Sequence, residues 1–162
     1  MIPAVREFKG WGGADMKFED FTPGLVIDGG SAPVTEAALV EFAQQWDPQP
    51  FHIDREAAEA SRWKGLIASG WHTCVIAMRL AVDNVLNGSN ASASPGIDEL
   101  RWHAPVRAGD ILHLTLHVLE TRISSSGEYG IVRWRWEVHT QAGTKVLSLL
   151  ASSLFNLKPA PV

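Results

Sequence analysis

The stretch QQWDPQPFHID, residues 44–54, sets Asp47 and His52 five positions apart with Pro48 and Pro50 between them. A carboxylate and an imidazole are side chains suited to holding a water molecule and moving its protons near neutral pH. On an unbroken helix a separation of five residues turns through about 500°, which aims the two groups well apart. Each proline disfavours helical backbone at the residue before it, so the chain turns between Asp47 and His52 and lets them converge. The plainer alternative makes Asp47 an Asp-Pro turn residue and His52 a histidine packed against the sheet.

A second candidate is LIASGWHT, residues 66–73, where Ser69 has the character of a helix cap and Gly70 opens the helix. Free backbone N–H groups and the positive end of the helix dipole meet there, a ready site for a carbonyl oxygen gaining charge. Ordinary capping accounts for the same pattern. Ser69 lacks the G-x-S-x-G surroundings of a nucleophile. His72 and Cys74, two apart on a helix, face away from each other. His113 and His117 on one strand face would stand about 13 Å apart, too far to share a metal. No phosphate-binding or dinucleotide glycine pattern is present, so neither a metal nor a cofactor is expected.

Several elements must position these residues. TEAALVEFAQQW reads as a helix capped by Thr35, with Ala38, Leu39, Phe42 and Trp46 as its apolar stripe and its end at Asp47. Asp54 caps a short helix, REAAEAS. From about Ser69 to Leu86, Trp71, Cys74, Val75, Met78, Val82 and Val85 recur at helical spacing, and Ile76, Ala77 and Leu80 widen the apolar arc. Such a pattern predicts a central helix buried on most faces. NGSNASASPG reads as a polar loop, and the chain after it as strands. Leu112, Leu114, Leu116 and Val118 alternate with His113, Thr115 and His117; Trp134, Trp136 and Val138 alternate with Arg133, Arg135, Glu137 and His139. Period two with one polar side means an antiparallel sheet with one covered face, and strands following helices mean α+β.

At 162 residues and 46% hydrophobic composition the chain suits one domain, residues 16–162, after a loosely ordered segment 1–15 rich in glycine. A net charge of −4 without basic clusters argues against nucleic-acid binding. No secretory h-region is visible, and His72 and Arg79 interrupt the longest apolar stretch, which argues against a membrane span. The lone Cys74 cannot form an intrachain disulfide, so a cytoplasmic location is expected.

Taken together, FEDFTPG, FAQQWDPQPFHID, GLIASGWHT, GIDELRWHAPVRAGD and the strand-rich C-terminal half resemble the MaoC-like dehydratases, relatives of the (R)-specific enoyl-CoA hydratases. The resemblance covers about residues 16–157 and implies a hot-dog fold, an antiparallel sheet wrapped round a long central helix. It implies hydration of trans-2-enoyl thioesters of coenzyme A or acyl carrier protein, in a homodimer or larger assembly. Asp47 and His52 match the family's catalytic pair, and Gly70 the glycine whose N–H polarises the thioester carbonyl. Ser69, Trp71 and Trp46 become candidate substrate-binding residues, with Lys64, Arg101 and Arg107 as candidate phosphate contacts. On this expectation, desolvation and a hydrogen bond from His52 make Asp47 a competent base. The chain departs from the commoner D-x-N-P-x-H by carrying Gln49, and from a frequent His-Gly by carrying Ser69-Gly70. A hot-dog thioesterase and a non-catalytic acyl-thioester binding module are the competing readings.

Overall fold

In a computed structural model the described residues are 16–157, so the expectation for segment 1–15 lies outside them. Strand β1 (Val26–Pro33) is followed by helices α1 (Glu36–Trp46), α2 (Pro50–Ile53), α3 (Arg55–Ala60) and α4 (Gly70–Ala81), the last continued by a π-helical turn, Val82–Leu86. Strands β2 (Ala91–Trp102), β3 (Ile111–Ile123), β4 (Tyr129–Thr140) and β5 (Lys145–Asn156) complete the domain. The five strands form one antiparallel sheet in the order β1-β3-β4-β5-β2. This is the hot-dog arrangement, with α4 lying inside the curl.

Alternation along the strands decides which face is covered. Leu112, Leu114, Leu116 and Val118 of β3 are buried, as are Val132, Trp134, Trp136 and Val138 of β4. Register aligns them across the sheet: Leu114 lies opposite Val138, Leu116 opposite Trp136, and Trp136 opposite Leu149 of β5. Ala77, Leu80, Ala81 and Val85 join this cluster from the helix. Small alanines on that side let α4 approach the sheet closely, while leucines and tryptophans opposite fill the space.

Three expectations need correction. The buried stripe of α1 is Leu39 and Ala43, whereas Trp46 is 68% exposed and Ala38 is also exposed, because α1 lies across the end of α4 rather than deep in the core. Helix α4 is not buried on most faces: Trp71, Val75, Met78 and Val82 stay exposed along one side. The polar stretch taken for a loop is partly strand, since β2 begins at Ala91 and includes Pro95. Proline is tolerated there because β2 is an edge strand and its pairing with β5 is interrupted by register shifts.

The positions that place the site are local. Thr35 Oγ1 accepts from Ala38 N–H and starts α1. Pro48 and Pro50 stop it, leaving Asp47 at its C-cap, and Asp54 caps α3 through Ala57 N–H. Replacing Leu114, fully buried at the centre of the sheet, with alanine should lower stability by about 2–5 kcal/mol. Urea unfolding followed by tryptophan fluorescence measures this; a loss well under 1 kcal/mol would mean that α4 does not seal this face.

Candidate active site

Asp47 and His52 do meet. Helix α1 ends at Asp47, the backbone turns through Pro48 and Gln49, and α2 brings His52 back until its Nε2 lies 3.3 Å from Asp47 Oδ2. The histidine is buried, and its Nδ1 lies 2.7 Å from the carbonyl oxygen of Ile67. A carbonyl only accepts, so Nδ1 carries a proton and Nε2 is the nitrogen turned toward Asp47. Phe51 stands edge-on against the imidazole at 4.5 Å and helps fix its plane.

Each carboxylate oxygen of Asp47 is also engaged. Gln49 Nε2 donates to Oδ1 at 2.7 Å and Ser69 Oγ donates to Oδ2 at 2.7 Å. Burial alone would push this carboxyl up, but the hydrogen bonds from Ser69 and Gln49 and the neighbouring His52 outweigh it and hold the group below its ordinary value. The expectation that desolvation makes Asp47 a competent base is therefore reversed. The carboxylate is held ionised by its donors.

Ser69 is fully buried with its hydroxyl committed to Asp47, and it accepts from Trp71 N–H at 3.3 Å as the cap of α4. Gly70 is the first residue of α4, and its N–H makes no hydrogen bond within the described residues. Trp102, at the end of β2, supplies a reason for glycine at this position. Its indole Nε1–H donates to Gly70 O at 2.9 Å, and a Cβ on residue 70 would come within 2.5 Å of the ring. Trp71 packs edge-on against Trp102 at 5.3 Å, and both rings remain about half exposed.

Of the phosphate-contact candidates, Arg107 reaches Trp63 O at 2.5 Å and Leu66 O at 3.5 Å, so it braces the loop that leads to Ile67. Arg101 pairs with Glu99. Lys64 adopts left-handed backbone, with φ 53°. Gln49, Ile67 and Trp102 are contacts of the candidate site that sequence reasoning did not select. Gln49 was visible as a departure from a motif, whereas the other two act through backbone or packing and leave no spacing signal. Burial pushes the Cys74 thiol up, away from the thiolate form, and pushes the His72 imidazole down, away from the charged form. Neither suits a nucleophile with a charged partner.

The comparisons with known proteins fall on the same region. A sequence profile described as a MaoC-like domain matches residues 21–137. The chain belongs to the MaoC-like family. YdeM, an uncharacterised protein of Bacillus subtilis, is 30% identical over 131 residues, covering 81% of this chain and 92% of YdeM. A crystal structure of a MaoC-like dehydratase from Rhodospirillum rubrum is 38% identical with a TM-score of 0.81, covering 88% of this chain and 97% of that one. The R-hydratase PhaJ1 from Pseudomonas aeruginosa is 26% identical with a TM-score of 0.72, covering 90% and 92%. Family membership thus supports hydration or dehydration chemistry in general terms.

A carboxyl held below its unfolded value stabilises the fold fully above that value and progressively less as pH falls through the folded one. The stability difference between wild type and Asp47→Asn should therefore be constant above the ordinary carboxyl value of 3.8 and shrink as acid is added below it. Urea midpoints of both proteins across that range measure it. A difference that ignores acid would show that Asp47 is not held ionised.

Proposed function

We propose that this MaoC-like protein adds water reversibly across the C2=C3 bond of a trans-2-enoyl thioester, carried on coenzyme A or acyl carrier protein. The observation that carries the reading is the approach of His52 Nε2 to Asp47 Oδ2 at 3.3 Å beside the N-terminus of α4. With its Nδ1 facing Ile67 O, His52 directs Nε2 at the carboxylate, so a water molecule seated beside the pair can donate one hydrogen to Asp47 Oδ2 and the other to Nε2 when that nitrogen is unprotonated.

In this reading the water oxygen bonds to C3 while Nε2 takes one of its protons. The π electrons of C2=C3 move onto the thioester as an enolate, whose oxygen accepts from Gly70 N–H at the positive end of the helix. The imidazolium, stabilised by Asp47, then returns its proton to C2. Hydrogen and hydroxyl have been added, and the site regains its starting charge. The reverse order dehydrates a 3-hydroxyacyl thioester. Trp46 and Trp71, 68% and 56% exposed on the residues flanking Asp47 and Gly70, are the proposed contacts for the thioester's acyl or pantetheine portion. The lone Cys74 fits work in the reducing cytoplasm. A thioesterase reading gains little, because α4 carries no carboxylate and Asp83 beyond it is paired with Arg79.

The working unit in this proposal is a homodimer. Trp71, Val75, Met78 and Val82 form an exposed apolar stripe on α4, and β2 presents an unpaired edge beside it. Met78 and Ile97 line an apolar groove of about 280 Å³ between the two. A second copy would cover the stripe and pair with the edge, removing both liabilities at once.

Hydration of a panel of trans-2-enoyl-CoA thioesters, followed by enoyl absorbance with free thiol assayed alongside, tests the chemistry. Wild type should consume enoyl signal without releasing thiol, and folded Asp47→Asn and His52→Ala should each lose about 10²–10⁴ in kcat. Thiol release, or full activity in either variant, would replace the reading. Met78→Glu should shift the protein from dimer to monomer in light scattering; a monomeric wild type would remove the dimer from the proposal.

A further inference from the structure

Two segments distant in sequence, the end of α1 and the start of α4, are joined at one buried hydroxyl. Ser69 lies between the carboxylate at the end of α1 and the first free N–H groups of α4. Its Oγ accepts from Trp71 N–H at 3.3 Å and donates to Asp47 Oδ2 at 2.7 Å. A hydroxyl has one proton, and an ionised carboxylate can only accept, so the direction of the chain is set: Trp71 N–H to Ser69 Oγ, then Ser69 O–H to Asp47. Accepting from the helix polarises the hydroxyl and strengthens it as a donor.

The other arm on Asp47 is of a different kind. Gln49 Nε2 holds Oδ1 at 2.7 Å, but Gln49 is exposed and its side chain is long. The oxygen nearest His52 is Oδ2, and the donor on that oxygen is the fully buried Ser69. We propose that Ser69 is a positioning residue for the hydration reaction, a relay from the α4 N-terminus that fixes the Asp47 carboxylate in the orientation facing His52 Nε2. This rests on the hydratase reading above and assigns to Ser69 work that helix capping does not require.

Several neighbours could obscure the effect. His52 on α2 is the titratable group that faces Asp47 among the described residues, while Gln49 and Ser69 are neutral. Removing the Ser69 hydroxyl therefore takes away a donor without altering any charge. Glycine is itself an acceptable helix cap, so Ser69→Gly separates relay from cap better than alanine does.

The test uses the full chain as wild type, Ser69→Gly, Ser69→Ala and Ser69→Thr. The Asp47 carboxyl carbon is titrated by 13C NMR, with its signal identified by its absence in Asp47→Asn, and kcat and KM for enoyl-CoA hydration are measured against pH. Removal of the hydroxyl should move the Asp47 midpoint upward and carry the acid limb of kcat/KM with it. It should lower kcat by about tenfold to a hundredfold with KM little changed, as expected for a misaligned reacting group. Ser69→Thr should restore both. An Asp47 midpoint that stays in place in folded Ser69→Gly and Ser69→Ala would overturn the relay, whatever happens to activity. A wild type that hydrates no enoyl thioester would instead overturn the hydratase reading, because the titration needs no turnover.

Discussion

The hydrogen bond from the buried Ser69 Oγ to Asp47 Oδ2, 2.7 Å long, fastens the end of α1 to the start of α4. Helix ends are where backbone groups go unsatisfied, so they are costly to bury and chemically useful when left free. Here the cap of one helix contacts the terminal side chain of another, and His52 is brought against that side chain. The Pro48–Gln49–Pro50 turn makes this possible by stopping α1 at a residue that then belongs to neither helix. Without that stop, Asp47 would continue along the helix surface and no pair would form.

The balance of electrostatic effects at Asp47 separates its role from that of His52. Burial disfavours a charged carboxylate, yet two hydrogen bonds and a neighbouring imidazole favour it and win. An acid held ionised is a poor proton acceptor and favours a positive neighbour. The imidazole has one nitrogen pinned by the Ile67 carbonyl and the other directed at Asp47.

Helix α4 serves three purposes with three of its surfaces. Ala77, Leu80, Ala81 and Val85 face the sheet, the first turn faces Asp47, and Trp71, Val75, Met78 and Val82 face outward. Trp102 ties the second surface to the edge strand β2 by bonding to Gly70 O and occupying the place of a side chain there. One indole ring thus links that edge to the N-terminus of the helix. Site and exposed edge are contiguous because the same helix turn supports both.

The sequence by itself determined the alternation of β3 and β4, the helix caps and the break between Asp47 and His52. Period two in β3 and β4, the Thr35 and Asp54 caps and the proline break are local rules, and local rules act wherever the fold places them. It also marked Asp47, His52 and Gly70 as a group, through chemistry and family resemblance. What it did not reveal is how the residues are held. The Ile67 carbonyl, the Gln49 amide, the Trp102 indole and the Arg107 brace contribute through backbone position or through space, and no periodicity encodes a contact between distant segments. The apolar run of α4 was equally ambiguous, since hydrophobicity records which residues avoid water but not what covers them. Only the tertiary structure decided that the Ser69 hydroxyl bonds to Asp47, that the Asp47 carboxyl is held below its ordinary value, and that one side of the central helix is left open, because each depends on three-dimensional proximity and not on residue type.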